Sequence, residues 1–177
     1  MDLTKKNCLI TGFPGVGKTT LIKKLYQELR DFHPVGFYTE EIREKGIRKG
    51  FELISLDGRR GLLSHVEIKS SLNVGKYKVD TKGFEEFLDS IPFFEHTVSL
   101  VIIDEIGKME CFSEKFKKLL KWLLDSKKVV LATIAFKSGG FIEEIKKRGD
   151  IKVFEMTHGN RESLLFEILS DVRSLLR

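Results

Sequence analysis

The chain is poor in the residues that define several classes of protein. Its 177 residues include two cysteines, three prolines and one tryptophan, and the cysteines, Cys8 and Cys111, are far apart in the sequence. Two distant cysteines provide neither the disulfide framework of a small secreted protein nor the ligand set of a zinc knuckle. We therefore expect both thiols to be reduced and the protein to work in the cytoplasm.

Long apolar runs are also missing. A helix that spans a membrane needs about 18 to 20 consecutive apolar residues, and the longest apolar run here, residues 129–136, has only the length of a strand. The short apolar segment after Lys5 and Lys6 breaks at once into glycines, unlike the hydrophobic region of a signal peptide. The sequence predicts no membrane span and no targeting segment.

Side-chain amides are scarce, whereas lysine and glutamate are abundant. The four amides are Asn7, Gln27, Asn73 and Asn160. A bias towards ionic side chains and away from heat-labile amides is typical of thermophilic proteins, so we expect a thermophilic source.

The composition is otherwise that of an ordinary globular protein. Hydrophobic residues make up 41% and charged residues 32% of the chain, which excludes disordered and collagen-like classes. The length favours one domain, residues 1–177, and we expect a monomer. The net charge of +5 is spread along the chain, so it suits a polyanionic small ligand, and nucleic acid is not expected as the principal ligand.

The order of predicted elements indicates an α/β fold. Residues 7–11 form a strand that ends in a glycine-rich turn, and residues 19–32 carry apolar side chains at helical spacing. Residues 35–64 contain shorter extended segments separated by turn residues. The remaining chain alternates helices and strands, namely residues 83–91, 99–103, 113–126, 128–135, 140–148, 151–157 and a C-terminal helix. This alternation predicts a mostly parallel, doubly wound sheet flanked by helices, with a hairpin-rich insertion after the first helix.

The first turn carries a phosphate-binding motif. It fits G-x-x-x-x-G-K-[ST] and lies between a predicted strand and a predicted helix, as a P-loop requires. Backbone N–H groups of such a loop surround phosphate, the lysine reaches the β- and γ-phosphate oxygens, and the threonine hydroxyl ligates Mg²⁺. A glycine-rich turn that merely starts a helix is the less favoured alternative. The predicted nucleotide-binding residues are Gly12, Phe13, Pro14, Gly15, Val16, Gly17, Lys18, Thr19 and Thr20.

Two acidic residues follow a buried strand. Asp104 comes directly after the apolar residues 100–103, and a carboxylate at this position can reach a metal ion, so we interpret it as the Walker B residue, with an ordinary capping aspartate as the alternative. Glu105 follows, and we interpret it as the base that activates water, with a structural salt bridge as the alternative.

Several longer motifs together resemble a known family, the small nucleoside-triphosphatases related to the cancer-related nucleoside-triphosphatase, also described as thermophilic nucleotide phosphatases. The motifs are GFPGVGKTT at residues 12–20, VGFYTEEIRE at 35–44, RKGFELISLDG at 48–58, VIIDEIGKMECFSEKF at 101–116 and NRE at 160–162. The resemblance implies a RecA-like P-loop fold and Mg²⁺-dependent hydrolysis of ATP, GTP, CTP and UTP to the diphosphate and phosphate. It also implies phosphate contacts from Gly15, Gly17, Lys18 and Thr19, metal association at Asp104, and water activation by Glu105.

Some charged residues have two possible roles. Arg43 and Arg48 flank a hairpin turn, where either could stabilise the γ-phosphate as an arginine finger or lie in solvent. For Glu41 we favour an ion pair at the strand edge. For Lys137 we favour an exposed loop position over contact with the γ-phosphate.

The start of the C-terminal helix is a candidate base-binding site. Asn160 could cap this helix, and Arg161 could either be surface charge or stack on the nucleotide base. The histidines show no metal-ligand spacing, and His158 is the one near a proposed site.

Three other functions are compatible with a P-loop. A kinase for a small molecule or nucleoside is the first alternative, although no arginine-dense lid is evident. A switch GTPase is disfavoured because no N-K-x-D motif follows the later strands. An ATP-dependent nucleic-acid adaptor is suggested only by the net charge.

Overall fold

The computed structural model describes residues 5–177, which form nine β-strands and five α-helices. In chain order the elements are β1 (Asn7–Thr11), α1 (Lys18–Glu28), β2 (Val35–Glu44), β3 (Ile47–Ser55), β4 (Arg60–His65), β5 (Asn73–Val74), β6 (Tyr77–Val79), α2 (Thr81–Asp89), β7 (Leu100–Ile106), α3 (Glu114–Asp125), β8 (Val129–Ile134), α4 (Phe141–Lys146), β9 (Ile151–Glu155) and α5 (Arg161–Leu175). Short 3₁₀ helices follow α1 at Arg30–Phe32 and β7 at Glu110–Phe112.

All nine strands belong to one sheet, in the order β5-β6-β4-β3-β2-β7-β8-β1-β9. The five strands from β2 to β9 in this order run parallel. Their carboxyl ends therefore meet at one edge, where open α/β sheets bind ligands. The predicted α/β fold is confirmed.

The hairpin-rich insertion continues this sheet. Strands β3, β4, β6 and β5 are added antiparallel beyond β2. Strands β5 and β6 have only two and three residues, and the sequence did not predict them. Because β2 pairs with β7 on one side and β3 on the other, it joins the parallel part of the sheet to the antiparallel part.

The two faces of the sheet bury separate hydrophobic cores. Helices α2, α3 and α4 cover one face, and α1 and α5 cover the other. Successive residues of β8 alternate between them: Val130 and Ala132 belong to the first core, whereas Val129 and Leu131 belong to the second. This alternation follows from the twofold period of a strand, and sheet burial on both faces explains why all of β8 is buried.

The helix boundaries follow local capping. Helix α2 begins after Asp80, whose carboxylate accepts a hydrogen bond of 2.9 Å from the Gly83 amide. Helix α3 begins after Ser113, whose hydroxyl accepts one of 3.0 Å from the Phe116 amide. Helix α1 ends at Glu28, four residues before the predicted end, and the last predicted turn is 3₁₀.

The two cysteines are free thiols. Burial raises the pKa of Cys8 and of Cys111 to about 12. Over the described part of the chain, no helix combines the length and apolar composition needed to cross a membrane.

Candidate active site

The P-loop, residues 12–19, connects β1 to α1 at the carboxyl edge of the sheet. Gly12 has a φ of 149°, and a Cβ there would lie 2.5 Å from the Met156 carbonyl oxygen. Gly17 has a φ of 105° and precedes the first turn of α1. Both positions need glycine, because a side chain would be strained at each, and a side chain at Gly12 would also collide with the Met156 carbonyl just after β9.

The rest of the P-loop is mostly open. Phe13, Pro14 and Gly15 are exposed, and Val16 is the loop residue that packs into the core. Thr20 lies exposed on the first turn of α1. The loop is therefore attached to the core through Val16, and its backbone is accessible to a ligand.

Lys18 lies within its own loop. Its ammonium group donates hydrogen bonds of 2.9 Å to the Gly12 carbonyl and 3.3 Å to the Phe13 carbonyl. The charge is thus held beside the backbone that would surround a phosphate.

Asp104 is the central carboxylate of the site. Three hydroxyl groups donate to it, from Thr19 at 2.8 Å, Thr133 at 2.5 Å and Thr39 at 3.4 Å. Its side chain is only 1% exposed, and this burial raises its pKa while the hydrogen bonds of Thr133 and Thr19 act in the opposite direction. Four elements, α1, β2, β7 and β8, therefore converge on one carboxylate.

The predicted end of the Asp104 strand was wrong by three residues. Strand β7 continues to Ile106, and its pairing with β8 shifts between Ile103 and Ile106. Over this stretch β7 advances three residues while β8 advances two. The extra residue is a β-bulge, which redirects side chains next to it, so Asp104 and Glu105 lie within the bulged part of the strand and not beyond its end.

Glu105 is partly exposed, and its pKa is raised by burial and by the charge of Asp104, whereas Lys18 lowers it. A second acid, Glu110, is buried nearby in the 3₁₀ helix that follows β7. Burial and the charge of Glu105 raise the pKa of Glu110 well above its usual range. The site therefore combines three acids with different exposure to solvent.

The residues present fit a magnesium ion that binds together with a phosphorylated substrate. Among residues 5–177, no group of three or more His, Cys, Asp and Glu side chains is arranged to hold a metal ion alone. The Thr19 hydroxyl and the Asp104 carboxylate nevertheless meet at 2.8 Å beside the P-loop. Mg²⁺ commonly takes one or two protein ligands and completes its shell with phosphate oxygens and water.

Arg161 lies beside the P-loop. Its guanidinium carbon is 3.8 Å from the position that a Cβ on Gly17 would occupy. One guanidinium N–H group donates a hydrogen bond of 2.7 Å to Nδ1 of His158. Asn160 occupies the N-cap position of α5 without a capping hydrogen bond to the helix. Its amide instead accepts from the Thr157 amide and donates to the Glu155 carbonyl, so it ties the turn to β9.

The hairpin arginines pair with Glu41. Arg43 and Arg48 donate to its two carboxylate oxygens at 2.7 Å and 2.8 Å. These bonds lower the pKa of Glu41, with Arg48 as the main cause. The ion pair expected for Glu41 is confirmed, and Arg48 is held further by a hydrogen bond of 2.8 Å to the Tyr77 hydroxyl.

Lys137 is exposed, as expected, and lies 5.6 Å above the Phe136 ring. Phe136 in turn packs on Phe13 of the P-loop, with ring centroids 4.3 Å apart. The loop after β8 therefore contacts the P-loop through two aromatic rings.

Three residues of the site were not predicted from the sequence: Thr39, Thr133 and Glu110. Thr133 is a polar residue in an otherwise apolar strand that is buried on both faces, which is a signal the sequence does contain. Glu110 is an acid within the DEIGKME motif, and its burial becomes evident only in the folded chain.

Comparison with known proteins gives consistent matches over nearly the whole chain. The family model described as NTPase matches residues 7–169. The nucleoside-triphosphatase THEP1 of Thermotoga sp. strain RQ2 is 51% identical over 163 residues, which cover 92% of each chain. The human cancer-related nucleoside-triphosphatase is 40% identical and covers 96% of this chain and 97% of its own. The crystal structure of THEP1 from the hyperthermophile Aquifex aeolicus superposes with a TM-score of 0.80 at 35% identity, over 93% of this chain and 97% of that chain.

Proposed function

The chain belongs to the NTPase family, and on this premise we propose that it hydrolyses nucleoside 5′-triphosphates to the diphosphate and phosphate, with Mg²⁺ and with little discrimination between bases. In this reaction water accepts the γ-phosphoryl group. The nucleotide-binding residues are those of the P-loop with Thr20 and Arg161.

The observation that carries this proposal is the hydrogen bond of 2.8 Å between Thr19 and Asp104. It connects the end of the phosphate-binding loop to the buried carboxylate on β7, although the two residues are far apart in the chain. The Thr19 hydroxyl and the Asp104 carboxylate would together hold a Mg²⁺ ion, which would supply positive charge to the phosphate oxygens of the substrate. When bound, it would offset the negative charge on the transferred group.

The other residues have separate tasks. The backbone N–H groups of the P-loop and the positive end of α1 bind phosphate, and Lys18 supplies a positive charge to its oxygens. Glu105 accepts the proton of the attacking water, and burial raises its pKa towards that of an effective base at neutral pH.

Broad base specificity is supported by the turn before α5. Strong selection of one base requires buried donors and acceptors that match its edge. The Asn160 amide is already engaged by backbone groups of Thr157 and Glu155. Arg161 can stack on any base without reading its edge. We therefore expect kcat/KM to vary within about tenfold among ATP, GTP, CTP and UTP, whereas a preference beyond about a thousandfold for one of them would contradict the proposal.

The decisive experiment measures phosphate release from ATP and Mg²⁺ with no acceptor present. Wild-type protein should turn over repeatedly. Lys18→Ala should be inactive and bind ATP weakly, and Glu105→Gln should bind ATP but lose about 10²-fold or more in kcat. Wild-type rates for Lys18→Ala would contradict the P-loop assignment, and an unchanged kcat for Glu105→Gln would contradict the assignment of the base.

A kinase remains the second candidate because of one cavity. It has a volume of about 510 Å³ and is lined by Lys108, Cys111, Phe112 and Lys117, by β5 and the glycine that follows it, and by residues of the β8–α4 loop and the start of α4. It thus adjoins the segment that carries Glu105 and Glu110, where a second substrate could approach. Phosphate release that requires an added acceptor would favour this alternative.

We further propose that the enzyme is a cytoplasmic monomer and a single domain from a thermophile, with no nucleic acid as principal ligand. The two free cysteines, of which Cys8 is buried, and the single continuous sheet support these assignments. Gel filtration tests the oligomeric state. A steep salt dependence of binding to generic DNA or RNA would contradict the last assignment.

A further inference from the structure

Glu110 is a buried acid to which the proposed reaction assigns no task. Its side chain lies in a residue that is 4% exposed, in the short helix that follows β7. The charges that act on it from the described part of the chain come from Glu105 and Asp104, and both disfavour its ionised form. Backbone N–H groups of Glu110 and Gly107 favour the ionised form, but burial and the neighbouring charges outweigh them. The neutral acid carries a proton, and a buried O–H group costs free energy unless it finds an acceptor.

The partner indicated by the geometry is Glu105. A Cβ built on Gly107 would lie 2.8 Å from Oε1 of Glu105 and also 2.8 Å from Oε2 of Glu110. The two oxygens are therefore no more than about 5.6 Å apart. Both occupy space beside Gly107 that the side chain of any other residue would fill. At this separation a hydrogen bond between the two carboxyl groups can form if one of them rotates, or through one water molecule between them.

We propose that Glu110 is a positioning residue for Glu105: as a carboxylic acid it donates a hydrogen bond towards Oε1 of Glu105, directly or through one water, and leaves Oε2 to accept the proton of the attacking water. This inference rests on the proposed function, in which Glu105 is the base. In this role Glu110 acts through Glu105 and makes no contact of its own with the substrate.

The electrostatics of the site agree with this role. Burial and the nearby charge of Glu105 raise the pKa of Glu110 well above its usual range, so its neutral form, which can donate, is favoured. Fixing one oxygen of a base by a hydrogen bond restricts its rotation, and groups that orient a reactive residue in this way commonly contribute about tenfold to a hundredfold to activity.

Two substitutions of similar size separate this role from simple packing. Glu110→Gln keeps an N–H donor that can replace the carboxylic acid, whereas Glu110→Met fills the same volume without a donor. We expect Glu110→Gln to retain kcat within about threefold and Glu110→Met to lose about tenfold or more, with KM for ATP unchanged in both because the P-loop is intact. Thermal unfolding and ATP binding verify that each variant is folded.

A second pair of variants tests whether Glu110 acts through Glu105. Glu105→Gln combined with Glu110→Met should be no slower than Glu105→Gln alone, because the base to be positioned is already lost. If Glu110 had a purely structural role, the fold losses in kcat of the two single variants would instead multiply in the double variant. Multiplying losses, or a Glu110→Met variant with wild-type kcat, would overturn the inference.

The remaining outcomes are also decisive. If Glu110→Gln is as slow as Glu105→Gln, an ionised Glu110 is required and the inference is wrong, even if Glu110→Met does not fold. If Glu105→Gln keeps wild-type kcat, the assignment of the base in the proposed function fails first. If Glu105→Gln is slow while Glu110→Met is fast, only the role of Glu110 fails.

Discussion

The Thr133 hydroxyl donates a hydrogen bond of 2.5 Å to Oδ1 of Asp104 across the junction of β8 and β7. Strand β8 separates the P-loop strand from the Asp104 strand in the sheet. Thr19 binds the other carboxylate oxygen, Oδ2. The carboxylate is thus held from both of its oxygens, and neither bond depends on the other.

Removing the Thr133 hydroxyl should therefore make the Asp104 carboxylate less well fixed without creating a cavity in the core. Thr133→Val is nearly isosteric and leaves Oδ1 without its donor, so we expect a loss of about tenfold in kcat/KM and a lower melting temperature, since an unpaired buried polar group costs about 1–3 kcal/mol. Thr133→Ser, which keeps the hydroxyl, is the control. Equal steady-state rates for the valine variant and wild type would contradict the expected role.

Gly107 should be more important for turnover than for stability. A Cβ at this position would displace the ends of two flexible side chains, Glu105 and Glu110, and no backbone atom is among its nearest contacts. For Gly107→Ala we expect a loss of about tenfold or more in kcat with only a small change in melting temperature. The matched control is Gly139→Ala, because a Cβ at Gly139 meets nothing within 4 Å. Similar kcat values for the two variants would show that Glu105 tolerates displacement.

The main features of the site could be predicted from the sequence, whereas its supporting residues could not. The P-loop and Asp104 were recognisable because a glycine-rich turn and an acid each follow an apolar strand. Thr133 was missed because threonine is common in strands, and Glu110 because glutamate is usually exposed. The short strands β5 and β6 have too few residues for an alternating pattern, and they exist because the edge of β4 is available for pairing.

The stability of the ligand-free protein should depend on pH through Glu110. Its pKa is raised in the folded state above its ordinary value of 4.5, so between these two values the folded chain binds more protons than the unfolded chain, and the free energy of unfolding falls as pH rises. The stabilisation by the neutral acid is complete below the unfolded-state pKa and is lost as pH passes through the folded-state pKa. Glu110→Gln removes this titration. Its melting temperature relative to wild type should therefore increase from about pH 5 to about pH 8, and parallel melting profiles would contradict this expectation.

Arg161 should contribute to the binding of all bases alike. Its guanidinium lies beside Gly17 and is oriented by His158. If it stacks on the base, Arg161→Ala should raise KM by about fivefold for ATP and CTP, the equivalent of about 1 kcal/mol for a cation–π contact. Initial-rate measurements with both nucleotides test this. A KM raised for one base only would show that Arg161 reads a base edge.

Strand β1 lies between β8 and β9 in the sheet, although both neighbours are distant from it in the sequence. During synthesis β1 therefore cannot pair with both neighbours until the chain has emerged as far as β9, and pairing between strands so distant in sequence is slow to form. The P-loop follows this strand directly, and its Gly12 lies against Met156, just after β9. The proposed nucleotide site is therefore completed only after β9 has been synthesised, and a truncated chain that lacks β9 and α5 would not contain the finished site.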